Sequence, residues 1–181
     1  GLLAKTLNSF PKGLVVITGS AGKSTTTKMV VGILRDQGLV VFTNPSTANI
    51  AQGFFSAIVE QSDLSGRIHG DVAVLEMDEG HAAEITKSIN PNVVTLLNVL
   101  EDQLDRFIDP SVVRSKLTEV ASRATDHLVI NADDQNLLLL NQALDSTSKA
   151  SRSYLAIENH VSQSATHGLG YAPTYLDSLP A

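Results

Sequence analysis

A short apolar run leads directly into a glycine-rich loop near the start of this 181-residue chain, and the loop leads into a helical pattern. The run is Gly13-Leu-Val-Val-Ile-Thr18, and a continuous apolar stretch of this length indicates a strand that is buried on both faces. The loop is Thr18-Gly-Ser-Ala-Gly-Lys-Ser-Thr-Thr-Thr27. Glycines at such a turn let backbone N–H groups face phosphate oxygens, and the N-terminus of the next helix adds positive potential. The sequence therefore predicts a phosphate-binding loop in an α/β fold.

The same alternation of apolar runs and helical spacings continues along the chain. Strands are predicted at 13–18, 39–43, 71–77, 93–97, 127–130 and 150–157, and helices at 23–37, 49–61, 82–88, 110–123 and 134–144. In the first of these helices the apolar and threonine residues recur at helical intervals, and the buried face of the second is predicted to consist of Ile50, Phe54, Ala57 and Ile58. Alternating elements imply a mostly parallel sheet flanked by helices on both faces, in which ligands bind at the carboxyl ends of the strands. We expect an α/β fold of the P-loop NTPase type.

Composition argues against several functional classes. The formal net charge is -6 and aromatic residues make up 4% of the chain, whereas nucleic-acid-binding proteins usually need a basic face and stacking rings. No stretch approaches the roughly 18 to 20 apolar residues of a membrane span, and the apolar run at the start is interrupted at Lys5 and Asn8, unlike a signal peptide. The sequence has no cysteine, so it forms no disulfide and no cysteine zinc site. We expect a cytoplasmic protein with neither nucleic-acid partner nor membrane span.

The groups of the glycine-rich loop that are expected to meet a nucleotide include the ammonium group of Lys23 and the hydroxyl of Ser24. We expect Lys23 to reach the β- and γ-phosphates and the hydroxyl of Ser24 to help hold Mg²⁺. The usual pattern has a glycine at the position of Ile17, and this loop has the shorter Gly-x-x-Gly-Lys-Ser form instead. The residues predicted to bind the nucleotide here are Gly19, Ser20, Ala21, Gly22, Lys23, Ser24 and Thr25.

Five segments, in order, resemble the central ATP-binding domain of the Mur ligase family. They are the loop at 18–27, Thr43-Asn-Pro-Ser-Thr-Ala-Asn49, Leu75-Glu-Met-Asp-Glu79, Asn98-Val-Leu-Glu-Asp-Gln-Leu-Asp-Arg-Phe107 and Asn131-Ala-Asp-Asp134. Within the family the resemblance is greatest to the MurT-like branch, since Gln103 stands where most other Mur ligases have histidine. Members of that branch carry a four-cysteine zinc ribbon, which a chain without cysteine lacks.

The resemblance implies an ATP-dependent, amide-forming ligase. In such a reaction a carboxylate of a peptidoglycan precursor attacks the γ-phosphate of ATP, and an amine then captures the acyl phosphate. The implied cofactors are ATP and Mg²⁺, and the MurT-like branch amidates the glutamate of lipid II with a glutaminase partner of the GatD type. We expect residues 1–157 to form the central domain and residues 158–181 an extension or linker, with the family's C-terminal domain absent.

The resemblance also implies roles in catalysis and metal binding. It makes Glu76, at the end of a predicted strand, a Mg²⁺ ligand beside Ser24, with an exposed strand-end acid as the alternative. Gln103 takes the place of a metal-binding histidine. Lys116 matches the lysine that many Mur ligases carboxylate, although an ordinary surface lysine on an amphipathic helix explains it equally. Lys23, Glu76 and Lys116 are accordingly the predicted catalytic residues.

Further polar residues are predicted at the substrate and nucleotide sites. Thr43, Asn44 and Asn49 are expected to line the acceptor-substrate side, and Asn49 is also a reasonable helix cap. Asn131 and Asp134 are expected to contact adenine and ribose. An Asx turn or a helix cap explains Asn131, together with the next aspartate at 133, almost as well.

The remaining charged residues of these segments are interpreted mainly as structural. Asp78 and Glu79 are expected to be solvated loop charges or to support the metal site. His81 either binds phosphate or metal or caps a helix. The carboxylates of Asp102 and Asp105 are predicted to pair with the guanidinium of Arg106 and to fix the loop.

Two other functional classes stay open alongside the ligase. A small-molecule kinase would use Lys23, Ser24 and Glu76 equally well. A module that binds ATP without catalysis is the second alternative. A GTPase is disfavoured, because the chain has no Asn-Lys-x-Asp motif for guanine.

Overall fold

The computed structural model describes residues 2–44, 51–100, 110–144 and 148–156. Its six strands are Leu14–Thr18 (β1), Val41–Thr43 (β2), Val72–Glu76 (β3), Val93–Leu96 (β4), His127–Asn131 (β5) and Ser151–Leu155 (β6). Its six helices are Leu2–Leu7 (α1), Lys23–Asp36 (α2), Ala51–Gln61 (α3), Glu79–Thr86 (α4), Pro110–Ser122 (α5) and Gln135–Leu144 (α6).

The strands form one sheet in the order β2-β3-β1-β4-β5-β6, and every neighbouring pair is parallel. The α/β fold with a mostly parallel sheet flanked by helices is therefore confirmed. The strand that precedes the phosphate loop, β1, lies between β3 and β4. Because all strands run the same way, their carboxyl ends meet at one edge of the sheet, and the predicted site residues that follow β1, β2, β3 and β5 converge there.

Two hydrophobic clusters hold the layers together. The larger one lies on the face covered by α4, α5 and α6, where Leu75, Leu96 and Ile130 of the sheet meet Leu117 and Leu137 of the helices. The smaller one lies under α2 and includes sheet residues from β1, β2 and β3. Residues of the central strands β1 and β3 take part in both clusters, which explains why these strands read as continuous apolar runs.

Only some of the residues that recur at helical intervals in α2 pack against the sheet, and Val30 and Leu34 are partly buried against the smaller cluster. Thr27 and Val31 are the buried residues of α2, whereas Met29 and Ile33 are 63% and 57% exposed. The helix begins at Lys23 directly after the loop, so the loop sets which side of the helix rests on the sheet.

Other boundaries differ by a few residues. Helix α4 begins at Glu79 rather than at 82, because the side chain of Asp78 caps it and accepts a hydrogen bond from the N–H of His81 at 2.8 Å. Helix α1 was not predicted. In the described part of the chain, no helix is both long enough and apolar enough to cross a membrane.

Candidate functional site

The phosphate loop turns on two glycines whose backbone conformations favour glycine. Gly22 has φ 82°, in the left-handed region, and α2 starts at the next residue. Gly19 has φ 138°, and a Cβ atom added there would lie 2.9 Å from the backbone nitrogen of Asn98. The loop is thus packed directly against the segment that follows β4.

Lys23 folds back over this loop. Its Nζ donates hydrogen bonds to the carbonyl oxygens of Gly19 at 2.6 Å and Ser20 at 3.2 Å. The ammonium group therefore lies beside the peptide groups that a nucleotide phosphate would approach. Thr25, in the first turn of α2, is exposed.

The hydroxyl of Ser24 meets the carboxylate of Glu76 at this edge of the sheet. Ser24 Oγ donates to Glu76 Oε1 at 2.9 Å, and Glu76 is only 3% exposed. Glu76 ends β3 and pairs in register with Ile17 on β1, so the two strands bring the acid to the loop. The alternative interpretation of Glu76 as an exposed acid is wrong.

A hydroxyl and a carboxylate are hard oxygen donors of the kind that Mg²⁺ prefers, and proteins commonly hold Mg²⁺ with one or two such groups plus phosphates and waters. Ser24 and Glu76 fit that requirement. The described residues contain no group of three or more histidine, aspartate and glutamate side chains placed to hold a metal ion.

Asn44 fixes the backbone of Glu76. Its Nδ2 donates to the carbonyl oxygen of Glu76 at 2.9 Å, and its Oδ1 accepts from the N–H of Glu76 at 3.0 Å. Asn44 is buried. The hydroxyl of Thr43, one residue earlier, is buried and has no hydrogen-bond partner among the described residues. The roles of both residues toward a substrate stay predictions.

The side-chain amide of Asn98 forms two hydrogen bonds with the backbone of the phosphate loop at Ala21. Its Oδ1 accepts from the N–H of Ala21 at 2.8 Å, and its Nδ2 donates to the carbonyl of Ala21 at 3.1 Å. The N–H of Ser20 also donates to the backbone carbonyl of Asn98 at 3.0 Å. The segment after β4 and the phosphate loop form one hydrogen-bonded unit.

Glu79 is hydrogen-bonded to the same unit and is only 3% exposed, so its interpretation as a solvated charge is wrong. Its Oε1 accepts from the hydroxyl of Ser20 at 3.0 Å, and that hydroxyl accepts from the N–H of Leu100 at 3.1 Å. The ring of His81 contacts the cap of α4, with Nδ1 2.7 Å from Asp78 Oδ1. Asp78 and His81 therefore form part of the start of α4.

Asn131 and Asp134 hold backbone groups on both sides of Asn98. Asn131 Nδ2 donates to the carbonyl of Leu97 at 2.8 Å, and its Oδ1 accepts from the N–H of Asp133, as in an Asx turn. Asp134 caps α6 and accepts from the N–H of Val99 at 2.6 Å.

The carboxyl of Asp134 is also shifted in its acidity. Burial raises the pKa of Asp134 above the usual value for aspartate, and the hydrogen bonds from the N–H groups of Val99, Leu137 and Asn136 oppose that rise. The Asx turn that the sequence left open for Asn131 is present, and the residue that caps α6 is Asp134. Nucleotide contacts of Asn131 and Asp134 stay predictions.

The remaining predicted residues are Lys116 and five residues that lie outside the described part of the chain. Lys116 is partly buried on α5, and its carboxylation stays a prediction. The predicted residues that lie outside the described part of the chain are Asn49, Asp102, Gln103, Asp105 and Arg106. Among described residues, sequence reasoning assigned no role to Asn98. Its position just after a strand that neighbours β1 was the available signal, because such positions lie at the ligand-binding edge.

Comparison with known proteins identifies the family. The family model of the Mur ligase middle domain matches residues 17–168. The chain belongs to the Mur ligase family. The match includes the phosphate loop, Glu76 and Asn98.

One similar curated protein is the MurT subunit of lipid II isoglutaminyl synthase (glutamine-hydrolyzing) from Staphylococcus aureus (strain COL). It is 32% identical over 132 residues, which are 73% of this chain and 29% of that protein. This Mur ligase family chain thus spans less than a third of the length of that relative.

Two solved structures show the same fold. MurF ligase from Thermotoga maritima in complex with ADP has a TM-score of 0.67 and 21% identity, over 87% of this chain and 35% of that one. A bifunctional folylpolyglutamate synthase/dihydrofolate synthase with Mn, AMPPNP and L-glutamate bound has a TM-score of 0.59 and 17% identity, over 85% of this chain and 46% of that one. At these identities the similarity concerns the fold alone.

Proposed function

We propose that this chain is the ATP-binding part of an ATP-dependent, amide-forming ligase of the Mur type. The contact that supports the proposal most is the 2.9 Å hydrogen bond between Ser24 Oγ and Glu76 Oε1, next to the phosphate loop. It joins a loop hydroxyl to a buried carboxylate, and together with Lys23 it forms a compact set of groups for a metal-bound triphosphate.

The groups of the loop suit phosphoryl transfer, which depends mainly on positioning and on neutralising charge. Lys23 would leave the carbonyls of Gly19 and Ser20 and donate to phosphate oxygens. The N-terminus of α2 would direct backbone N–H groups toward the same oxygens. Ser24 and Glu76 would hold Mg²⁺, which when bound neutralises phosphate charge. Asn44 would keep Glu76 in place.

The proposed reaction has two steps. A substrate carboxylate oxygen attacks the γ-phosphorus of ATP, the bond to the bridging oxygen breaks, and ADP leaves. An amine nitrogen then attacks the carbonyl carbon of the acyl phosphate, inorganic phosphate leaves, and the nitrogen loses a proton. The name of the MurT relative, a subunit of lipid II isoglutaminyl synthase, supports a peptidoglycan precursor as the substrate.

A finer proposal is a MurT-like amidation of the glutamate in lipid II. The 32% identity to a subunit of lipid II isoglutaminyl synthase supports it, and so does the word glutamine-hydrolyzing in that protein's name. A glutaminase subunit of the GatD type would then supply ammonia. A cytoplasmic location and a central domain at residues 1–157 are parts of the same proposal.

Several residues have proposed roles beyond the loop. Lys116 and Gln103 would bind a second Mg²⁺, with Lys116 carboxylated. Thr43, Asn44 and Asn49 would face the acceptor substrate.

A hydroxylamine trap tests the ligase chemistry. The chain is incubated with ATP, Mg²⁺ and lipid II, with hydroxylamine in place of the amine. A hydroxamate on the precursor, with one ADP and one phosphate released per product, supports the ligase. A phosphorylated hydroxyl group with no hydroxamate indicates a kinase, and ATP binding without any product indicates a binding module.

A further inference from the structure

We propose that Asn98 is a positioning residue for the phosphate loop, which it holds in the conformation that receives a nucleotide. The proposal rests on the nucleotide site proposed above. It adds a residue that follows β4 and belongs neither to the loop nor to the predicted metal ligands.

The backbone contacts between β1 and β4 continue past the ends of the two strands. Thr18 pairs in register with Leu96, and the N–H of Leu97 donates to the carbonyl of Thr18 at 3.0 Å. The N–H of Ser20 then donates to the carbonyl of Asn98, also at 3.0 Å. The side chain of Asn98 extends this series to the next loop residue, Ala21.

The amide of Asn98 satisfies both backbone groups of Ala21. Within the described residues, the N–H and the carbonyl of Ala21 have hydrogen bonds to Asn98 alone. Ala21 follows one glycine by two residues and precedes another directly, and both have positive φ, at Gly19 and Gly22. Glycine-rich backbone has much conformational freedom to lose. An amide that already holds the loop reduces the entropy that nucleotide binding has to remove.

The side-chain amide of Asn98 is also electrostatically compatible with a bound phosphate. It is neutral, so it adds no negative charge where phosphates would bind, and it offers a donor and an acceptor at once. An aspartate of the same shape would keep an acceptor for the Ala21 N–H, lose the donor and place a charge near the phosphates.

The chain contains a matched control at the opposite end of the same pair of strands. Asn92 Oδ1 accepts from the N–H of Leu14 at 2.9 Å, and its Nδ2 donates to Asp126 at 3.0 Å. Asn92 thus holds the start of β1 much as Asn98 holds the loop after its end. A purely structural role for Asn98 would make the two residues equivalent in their effect on binding.

The experiment measures nucleotide affinity and loop protection in the 181-residue chain. Titration calorimetry with Mg-ATP and with Mg-ADP is performed on the wild type, Asn98→Ala, Asn98→Asp and Asn92→Ala. Urea unfolding and hydrogen exchange of the loop amides are measured on the same proteins. Asn98→Asp keeps the side-chain volume, so it provides the test of the proposal if Asn98→Ala folds poorly.

We expect Asn98→Ala to weaken the binding of both nucleotides about three- to tenfold, since each hydrogen bond of this kind contributes a factor of a few to an equilibrium constant. The exchange of the Ala21 amide should become faster in that variant. Asn98→Asp should lose more affinity for ATP than for ADP, with a loss that shrinks as salt is added. Asn92→Ala should unfold at lower urea concentration with unchanged affinity.

Equal affinities in the wild type and Asn98→Ala would overturn the proposal, and so would an equal loss in Asn92→Ala. Failure of the wild type to bind any nucleotide is a different result. It would overturn the proposed function itself and the role of Asn98 with it.

Discussion

The side-chain amide of Asn44 pairs with the backbone of Glu76 as a neighbouring strand would. It donates to the Glu76 carbonyl at 2.9 Å and accepts from the Glu76 N–H at 3.0 Å. Strand β2 ends one residue earlier, at Thr43, so the amide extends the contact between β2 and β3 to the end of β3. The carboxylate that faces Ser24 is thereby fixed through its own backbone.

Replacement of Asn44 by alanine should destabilise the fold. Two buried backbone groups of Glu76 would lose their partners, and each such loss costs about 1–3 kcal/mol. We expect a loss of about 2–4 kcal/mol in the free energy of unfolding, measured by urea denaturation. Asn90→Ala, at an exposed position after α4, is the control and should stay within about 0.5 kcal/mol of the wild type. A similar stability for both variants would show that the amide pair contributes little.

Gly19 and Gly32 should respond to alanine in opposite directions. At Gly19 the new Cβ would lie 2.9 and 3.0 Å from backbone atoms of Asn98, and the φ of 138° is unfavourable for alanine. We expect a loss of about 1–3 kcal/mol in the free energy of unfolding. At Gly32, inside α2, the Cβ meets nothing within 4 Å, and alanine should stabilise the chain by about 0.5–1 kcal/mol.

Urea unfolding of the two glycine variants measures both changes in the free energy of unfolding, which should have opposite signs. The stabilised Gly32→Ala chain controls for any general effect of an added methyl group. If Gly19→Ala were as stable as the wild type, the tight packing of the loop on the segment after β4 would be contradicted.

Lys23→Ala should remove most of the ATP affinity. Hydrogen bonds to charged groups contribute about 1.5–3 kcal/mol, which corresponds to a loss of roughly ten- to more than a hundredfold. Lys28→Ala is the matched control, because Lys28 lies on the same helix and is exposed. Calorimetry with Mg-ATP should show the loss in Lys23→Ala alone. Equal affinities in the two variants would mean that the loop lysine does not meet the phosphates.

Asp134 should make the chain less stable as the pH rises. Burial raises its pKa in the folded state, so the folded chain keeps this proton at a pH where the unfolded chain has released it. The stabilising contribution is complete below the unfolded pKa of about 3.9 and is lost as the pH rises through the higher folded value. The free energy of unfolding of the wild type should therefore fall relative to Asp134→Asn over that window.

Urea unfolding between about pH 3.5 and 7 provides the comparison, with the difference between the two proteins taken at each pH. Only the pH dependence of that difference reports the titration of Asp134, because the substitution also changes the hydrogen bond that Asp134 accepts from the N–H of Val99. A wild type that gained stability relative to Asp134→Asn as the pH rose would contradict the direction of the pKa shift.

The order of strands and helices followed from the sequence because β and α patterns differ in period and because β1 and β3 are buried on both faces. The orientation of α2 did not follow. Met29 and Ile33 have the same spacing as the residues that are buried, and only the geometry of the loop distinguishes the two sides of the helix. Apolar residues on an exposed face are common, so spacing alone does not identify the buried side.

The site was predictable in part. The loop, Ser24 and Glu76 were recognisable from local patterns, because the loop and Ser24 directly follow β1 and Glu76 ends β3, the strand next to β1. The roles of Asn98 and Glu79 were not, since they depend on contacts across the chain: Asn98 lies 77 residues from Ala21, and Ser20 lies 59 residues from Glu79. Local sequence carries no information about which distant backbone group an amide will meet.

The contribution of Glu76 to Mg²⁺-dependent ATP binding is the central claim. Calorimetric titration of ATP with and without Mg²⁺ tests it on the wild type, on Glu76→Gln and on Glu84→Gln, in which an exposed carboxylate of α4 is changed. We expect Mg²⁺ to strengthen ATP binding in the wild type and in Glu84→Gln, and Glu76→Gln to lose this gain while its Mg²⁺-free affinity stays the same or rises. An identical response to Mg²⁺ in all three proteins would contradict the role of Glu76 as a Mg²⁺ ligand.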